Sequence, residues 1–255
     1  PHNEPQGAVP RDSRHRDTPA WQDGVGGGWL PASDWRVVDG VAAVLWDMDG
    51  TLIDSEPFWL KAQARLVAEH GGSWSHQDGL RLVGSDLEST VAVLQAAGVR
   101  LDGDEIGERL IDEVTAHLRS GVVWRPGVLE LVSELALAGV SQVIVTTSPR
   151  SMAAVVGAAL PSGSLAGIVA GEDVTRGKPD PEPYLLAAQR LGVSPSQCIA
   201  IEDSPTGLAS AIAAGTVAIG VPNVVPLVRA PTWTCLETLA GTTLRNLEQI
   251  LTAAR

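Results

Sequence analysis

The chain has 255 residues, 44% of them hydrophobic and 19% charged. That fits one large domain, or a core with one inserted domain, and excludes general disorder. A net charge of −12 excludes nucleic acid, or an anionic membrane, as a partner held by a bulk positive field. No apolar run reaches the roughly 18–20 residues of a membrane span. Residues 1–36 lack the apolar run of a signal peptide, which makes a cytoplasmic protein the expectation. Cys198 and Cys235, the only two cysteines, read as buried thiols in a reducing compartment rather than as disulfide or metal partners.

In chain order, residues 1–38 read as a flexible tail with a loose glycine run. Its Trp21, Trp29 and Trp35 would then pack on the body or on a partner. The apolar run 41–46 predicts a buried strand that ends in Asp47. From residue 58 the period becomes helical, with helices over 58–70, 87–97 and 104–118. The last carries Ile106, Leu110, Ile111, Val114 and Leu118 on one face. No strand signal interrupts this stretch, so 58–121 reads as a helical insertion between two parts of a core, 39–57 and 122–255. Beyond Pro126-Gly127 the pattern alternates: helix 128–138, strand 140–146, helix 151–160, strand 168–170, helix 182–191, strand 198–202, helix 205–214, strand 217–220. Such alternation predicts an α/β fold with a mainly parallel, Rossmann-like sheet. Ligands of these sheets bind at the carboxyl ends of the strands, which puts Asp47, Thr146, Glu202 and Asp203 at one edge.

Four segments at or near strand ends carry chemistry. Asp47-Met48-Asp49-Gly50 offers two carboxylates that face one site if the chain turns at Gly50, one as nucleophile and its neighbour as acid and base. Thr146-Thr147-Ser148 brings hydroxyl donors for phosphate oxygens. Lys178, before Pro179, supplies a compact ammonium. Lys is scarce here, since only Lys61 and Lys178 among 18 basic residues are not Arg, although codon bias explains scarcity equally well. Glu202-Asp203 places paired acids at the end of a buried strand, which is costly unless something positive offsets them. A hard cation such as Mg²⁺ suits those oxygen ligands. Each segment also has a plain structural reading: a turn, an ST-turn, a solvated lysine, a helix cap.

Taken together, these residues are similar to the four motifs of the haloacid dehalogenase-like hydrolase superfamily over roughly residues 40–253. Asp47-Met48-Asp49-Gly50-Thr51-Leu52-Ile53-Asp54-Ser55-Glu56 resembles the first motif, Thr146 the second, Lys178 the third and Glu202-Asp203 the fourth. The insertion resembles the helical cap of the phosphatase and phosphomutase branch. The resemblance implies that Asp47 attacks phosphorus and that Asp49 serves as acid and then base. It implies phosphoryl binding by Thr146, Thr147 and Lys178. Mg²⁺ would be held by Asp47, the Asp49 backbone carbonyl and Asp203. Glu202 would be a ligand through water or an orienting acid. The expected substrate is a small phosphorylated metabolite, and a monomer is the default.

The retained Asp49 argues against a dehalogenase, and against a phosphonate hydrolase that would use Lys61. The rival is a sugar phosphomutase. Its pattern has a cap histidine where Trp59 stands and a phosphate-binding arginine where Leu87 stands, while Gly84 matches the cap's substrate loop. Arg125 and Arg150 remain as possible second anion sites. Candidates for substrate contact are Trp59, Trp74, Gly84, Ser85, Ser148 and Arg150, with Trp59 open to a plain packing role. A catalytically silent binding module is the reading from another class, and the complete acid, hydroxyl and lysine set speaks against it.

Overall fold

The computed structural model describes residues 40–254; the expectations for the tail and its tryptophans lie outside them. Six strands form one parallel sheet in the order β3-β2-β1-β4-β5-β6. They are β1 (Ala43–Trp46), β2 (Ser141–Val145), β3 (Gly167–Val169), β4 (Cys198–Glu202), β5 (Val217–Gly220) and β6 (Thr234–Cys235). Both faces of the sheet are covered, which is why β1 is apolar at every position. Val44 and Trp46 point into one core layer, and Ala43 and Leu45 into the other. The buried Trp46 indole N–H donates to Gln142 Oε1 at 3.1 Å, so the polar tip of this large side chain is satisfied.

Between β1 and β2 the described residues form helices and no named strand: α1 (Glu56–Glu69), α2 (His76–Leu80), α3 (Leu87–Ala96), α4 (Gly103–Ser120) and then α5 (Val128–Leu137). The chain enters and leaves α1–α4 side by side. Asp54 N–H donates to the Val123 carbonyl at 2.8 Å, and Arg125 N–H to the Leu52 carbonyl at 2.9 Å. In α4 the residues Ile106, Leu110, Val114 and Leu118, spaced by four, are buried together. Ile111, expected on that face, turns instead to the cavity described below. Helices α6 (Arg150–Ala159), α7 (Glu182–Leu191), α8 (Pro205–Ala213) and α9 (Leu244–Ala253) complete the chain.

Several elements depart from the expectation. Helix α1 starts at Glu56 because Pro57 sits in its first turn. The short α2, held by a Ser75/Asp78 capping box, and α9, held by Thr243 and Asn246, were not foreseen. Nor was β6. Cys198 is buried as expected, but Cys235, in β6, is half-buried, and both are free thiols. Among the described residues no helix is long and apolar enough to cross a membrane.

Candidate active site

The strand register sets the site. Trp46 is level with Ile144 on one side and Ile201 on the other, so Asp47, Val145 and Glu202 leave the sheet at one height. The Asp47 N–H continues the ladder to the Ile201 carbonyl at 3.0 Å. Lys178, from the loop before α7, closes the gap between them. Its Nζ donates to Asp47 Oδ1 at 2.7 Å, Glu202 Oε1 at 2.7 Å and the Val145 carbonyl at 2.8 Å. All three ammonium hydrogens therefore have acceptors. Burial works against this charge, yet Asp47 and Glu202 outweigh it and hold the Lys178 pKa above the ordinary lysine value. Glu202 is fully enclosed. Its Oε1 also accepts from the Tyr184 hydroxyl at 2.6 Å and its Oε2 from Ser204 Oγ at 3.2 Å. A buried ion pair is tolerable when its remaining lone pairs are filled in this way.

Asp49 stands in different surroundings. The chain turns at Gly50, whose φ is +83°, a conformation that favours glycine. Asp49 Oδ2 accepts from Ser148 Oγ at 2.6 Å; its Oδ1 accepts from Ser55 Oγ and from Trp59 Nε1 at 3.3 Å. Ser55 occupies the N-cap position of α1 but makes no cap bond, because its hydroxyl is given to Asp49. Burial raises the Asp49 pKa, and the neighbouring Asp47 charge adds to that, against the three hydrogen bonds. One carboxylate thus faces a cation and the other does not, the arrangement that separates two acids into two roles.

Asp203 accepts no hydrogen bond among the described residues, and burial, then Asp47 and Glu202, push its pKa up to about 9. Single oxygens of Asp47, Glu202 and Asp203 lie within 4.8 Å of one another. Three crowded acids against one ammonium leave a deficit of positive charge that an oxygen-ligated cation fits. A Cβ added at Gly50 would lie 2.0 Å from Asp203 Oδ2, so the backbone itself closes this corner.

A cavity of about 430 Å³ opens between the strand ends and α1–α4. Of the residues picked from the sequence, Asp47, Asp49, Thr146, Thr147, Ser148, Lys178, Asp203, Trp59, Gly84 and Ser85 line it. Glu202 lies behind Lys178. Thr146 Oγ1 accepts the Ser148 N–H at 3.0 Å, the turn that aims Ser148 at Asp49. Arg150 does not reach the cavity: its guanidinium pairs with Asp173, an acid 23 residues on that no local pattern connects to it. Arg125 donates to the Pro222 carbonyl at 3.0 Å, and Trp74 faces a separate groove with Ser85 and Arg81. Lys61 is exposed. The sequence reading gave no role to Ser55, Glu56, Gln63 or Tyr184. Ser55 and Glu56 stand inside the first motif, and Tyr184 is the one tyrosine; Gln63 carries no local signal.

A family model described as haloacid dehalogenase-like hydrolase matches residues 41–215. Hexitol phosphatase A of Escherichia coli (strain K12) is 34% identical over 81% of this chain and 91% of its own length. N-acetylmuramic acid 6-phosphate phosphatase of Pseudomonas aeruginosa is 34% identical over 68% of this chain and 78% of its own. Among solved structures, CbbY from Rhodobacter sphaeroides in complex with xylulose-(1,5)bisphosphate superposes with a TM-score of 0.74 and 26% identity, covering 81% of this chain and 99% of that one.

Proposed function

The chain belongs to the haloacid dehalogenase-like hydrolase family, and we propose that it is a Mg²⁺-dependent phosphatase of a small phosphorylated metabolite, acting through an aspartyl-phosphate on Asp47. The observation that carries the reading is the contrast between Asp47, paired with Lys178 at 2.7 Å, and Asp49, buried without a cation and raised in pKa, in one cavity. The Asp47 carboxylate oxygen attacks phosphorus while the ester P–O bond breaks, and Asp49 gives its proton to the leaving alkoxide. Asp49, now a base, then takes a proton from water as that water attacks the acyl phosphate, which frees phosphate and restores Asp47. Thr146 and Thr147 face the phosphoryl position as hydroxyl donors, and Lys178 holds the Asp47 charge in place. Asp47, Asp203 and the Asp49 carbonyl are the residues that would hold Mg²⁺, which when bound neutralises phosphoryl charge. Glu202, with its oxygens already engaged by Lys178, Tyr184 and Ser204, fits the orienting role. Helices α1–α4 act as a cap that limits leaving-group size and keeps bulk water from the intermediate.

Hydrolysis ranks above phosphomutase action because a mutase must also hold a second phosphate. Lys178 is the only cationic side chain that lines the cavity among the described residues. The deciding experiment measures phosphate release from p-nitrophenyl phosphate and phosphorylated metabolites with Mg²⁺ or EDTA. Mg²⁺-dependent release that vanishes in Asp47→Asn is expected. Equal traces for both proteins, or an isomerised ester in place of free phosphate, would overturn the reading.

A further inference from the structure

Of the four acids assigned to catalysis and the cation corner, three are held by donors. Lys178 Nζ bonds Asp47 and Glu202, Tyr184 and Ser204 complete Glu202, and Ser55, Trp59 and Ser148 hold Asp49. Asp203, only 6% exposed, has no donor among the described residues. A carboxylate that must present one oxygen to a cation needs its other side fixed, and metal ligands are commonly fixed by such outer partners. Beside it lies a donor with the complementary lack. Asn223 Nδ2 is buried and has no hydrogen-bond partner among the described residues, and a buried polar group left unpaired is rare and costly. The two groups share one small space against Gly50. A Cβ built on that glycine would stand 2.0 Å from Asp203 Oδ2 and 3.1 Å from Asn223 Nδ2. Turned the other way round, the amide would set its oxygen against a carboxylate, so the donor end inward is the one that fits.

The fold delivers Asn223 to this point. Glu202 is level with Gly220 in the parallel ladder, and the Val221 N–H donates to the Glu202 carbonyl at 2.7 Å. Asp203 and the loop after β5 therefore leave the sheet side by side. In that loop the Pro222 carbonyl accepts from Arg125 Nη2 at 3.0 Å. Arg125 belongs to the return from α4, where its own N–H bonds the Leu52 carbonyl and Trp124 pairs with Ile53. A loop pinned one residue before Asn223 has little freedom left to lose when the amide takes up a bond. Asn223 is not among the residues that line the cavity, so its amide is offered to a neighbour and not to substrate. We infer that Asn223 is a positioning residue of the cation corner: its amide N–H donates to Asp203, and this bond turns the carboxylate toward Asp47. The inference rests on the reading of Asp47, the Asp49 carbonyl and Asp203 as the residues that would hold Mg²⁺.

The test measures Mg²⁺ binding to the intact protein by calorimetry without substrate, and beside it the Mg²⁺ dependence of p-nitrophenyl phosphate hydrolysis. Asn223→Leu, of similar size and without the donor, should weaken Mg²⁺ binding by roughly 10–100-fold. The Mg²⁺ concentration for half-maximal rate should rise in step, while kcat at saturating Mg²⁺ stays within about twofold of the wild type. Melting curves in EDTA show whether each variant is folded, and Asn223→Ala, which loses the same donor, carries the test if the leucine variant is not. Asn223→Ser differs from Asn223→Ala by one hydroxyl donor and should bind Mg²⁺ more tightly than it does. Unchanged Mg²⁺ affinity in the variants without a donor, no advantage of serine over alanine, or a fall in kcat at saturating Mg²⁺ with affinity unchanged would overturn the positioning role. Hydrolysis by the wild-type protein in any of those cases leaves the phosphatase standing. A wild-type protein that binds Mg²⁺ and hydrolyses no ester removes the phosphatase reading, and the calorimetric comparison still decides Asn223. A wild-type protein that binds no Mg²⁺ removes the cation site, and this inference with it.

Discussion

Asp49 is held by three donors on three different segments: Ser55 before α1, Trp59 within it, and Ser148 after β2. An acid that must both give and take a proton needs a fixed aim more than a strong partner. Asp49→Asn keeps the shape and removes the proton, so kcat should fall by roughly 10²–10⁴-fold in steady-state phosphate release. Ser148→Ala leaves the proton but frees one carboxylate oxygen. A smaller fall in kcat is expected, about tenfold for a lost charge-assisted hydrogen bond, with the Mg²⁺ concentration for half-maximal rate unchanged. A shift in that Mg²⁺ requirement would mean that Ser148 serves the metal corner instead. Tyr184 belongs to the other half of the site. Its hydroxyl bonds Glu202 and its ring lies 5.2 Å from Lys178 Nζ. Tyr184→Phe removes one donor from a buried carboxylate and should cost about 1–3 kcal/mol, visible as a lower midpoint in thermal or urea unfolding.

At the scale of elements, the turn after β1 does the most with the least chain. It must bring Asp47 and Asp49 to the same cavity within three residues, and Gly50 makes that possible by its positive φ and by its contact with Asp203. Gly50→Ala would strain the backbone by about 1 kcal/mol and push Asp203 away. Weaker Mg²⁺ binding by calorimetry and a loss of activity are expected, and unchanged Mg²⁺ affinity would show that Asp203 is not part of the cation site. How legible such elements are depends on whether their cause is local. The runs of β1 and β4 and the spacing of α4 are local, and the sequence predicts them. So is the Gly50 turn between two acids. Helix α2 is only five residues long and β6 only two, too short for a period to show. Arg150 is a candidate for substrate contact in the sequence, but its guanidinium is taken by Asp173 in the fold. Its partner Asp173 comes from the turn after β3, a neighbour only the folded sheet provides. Gln63 was invisible for the same reason: α1 has both a core face and a cavity face, and periodicity alone does not say which polar residue lies along the cavity wall.

On the scale of the whole molecule, the acidic balance seen at the start has a local focus. Burial raises Glu56 from 4.5 to about 7, helped by the charges of Asp49, Asp54 and Asp47, and raises Asp203 from 3.8 to about 9, helped by those of Asp47 and Glu202. The folded chain therefore keeps protons that the unfolded chain has released. By linkage, stability must fall as pH rises through the windows between those values, from about 4 upward to about 9. Acids whose pKa is lowered, such as Asp86 through its Ser89 N–H bond, act in the opposite sense and only below the usual carboxylate range. Lys178, raised in pKa, loses its contribution only at still higher pH. A cation that binds the acids of the folded state competes with the same protons, and it stabilises by mass action where the protons are gone. Thermal midpoints measured with EDTA should therefore decline between about pH 5 and about pH 9. Excess Mg²⁺ should flatten the decline, with the gain in midpoint larger at the alkaline end. In Asp203→Asn the Mg²⁺-dependent gain should shrink and the slope with EDTA should lessen, because one raised carboxyl is gone. A midpoint that rises over this range with EDTA would contradict the raised carboxyls of Glu56 and Asp203, and a Mg²⁺ gain equal at both ends would place the cation somewhere other than beside Asp47 and Asp203.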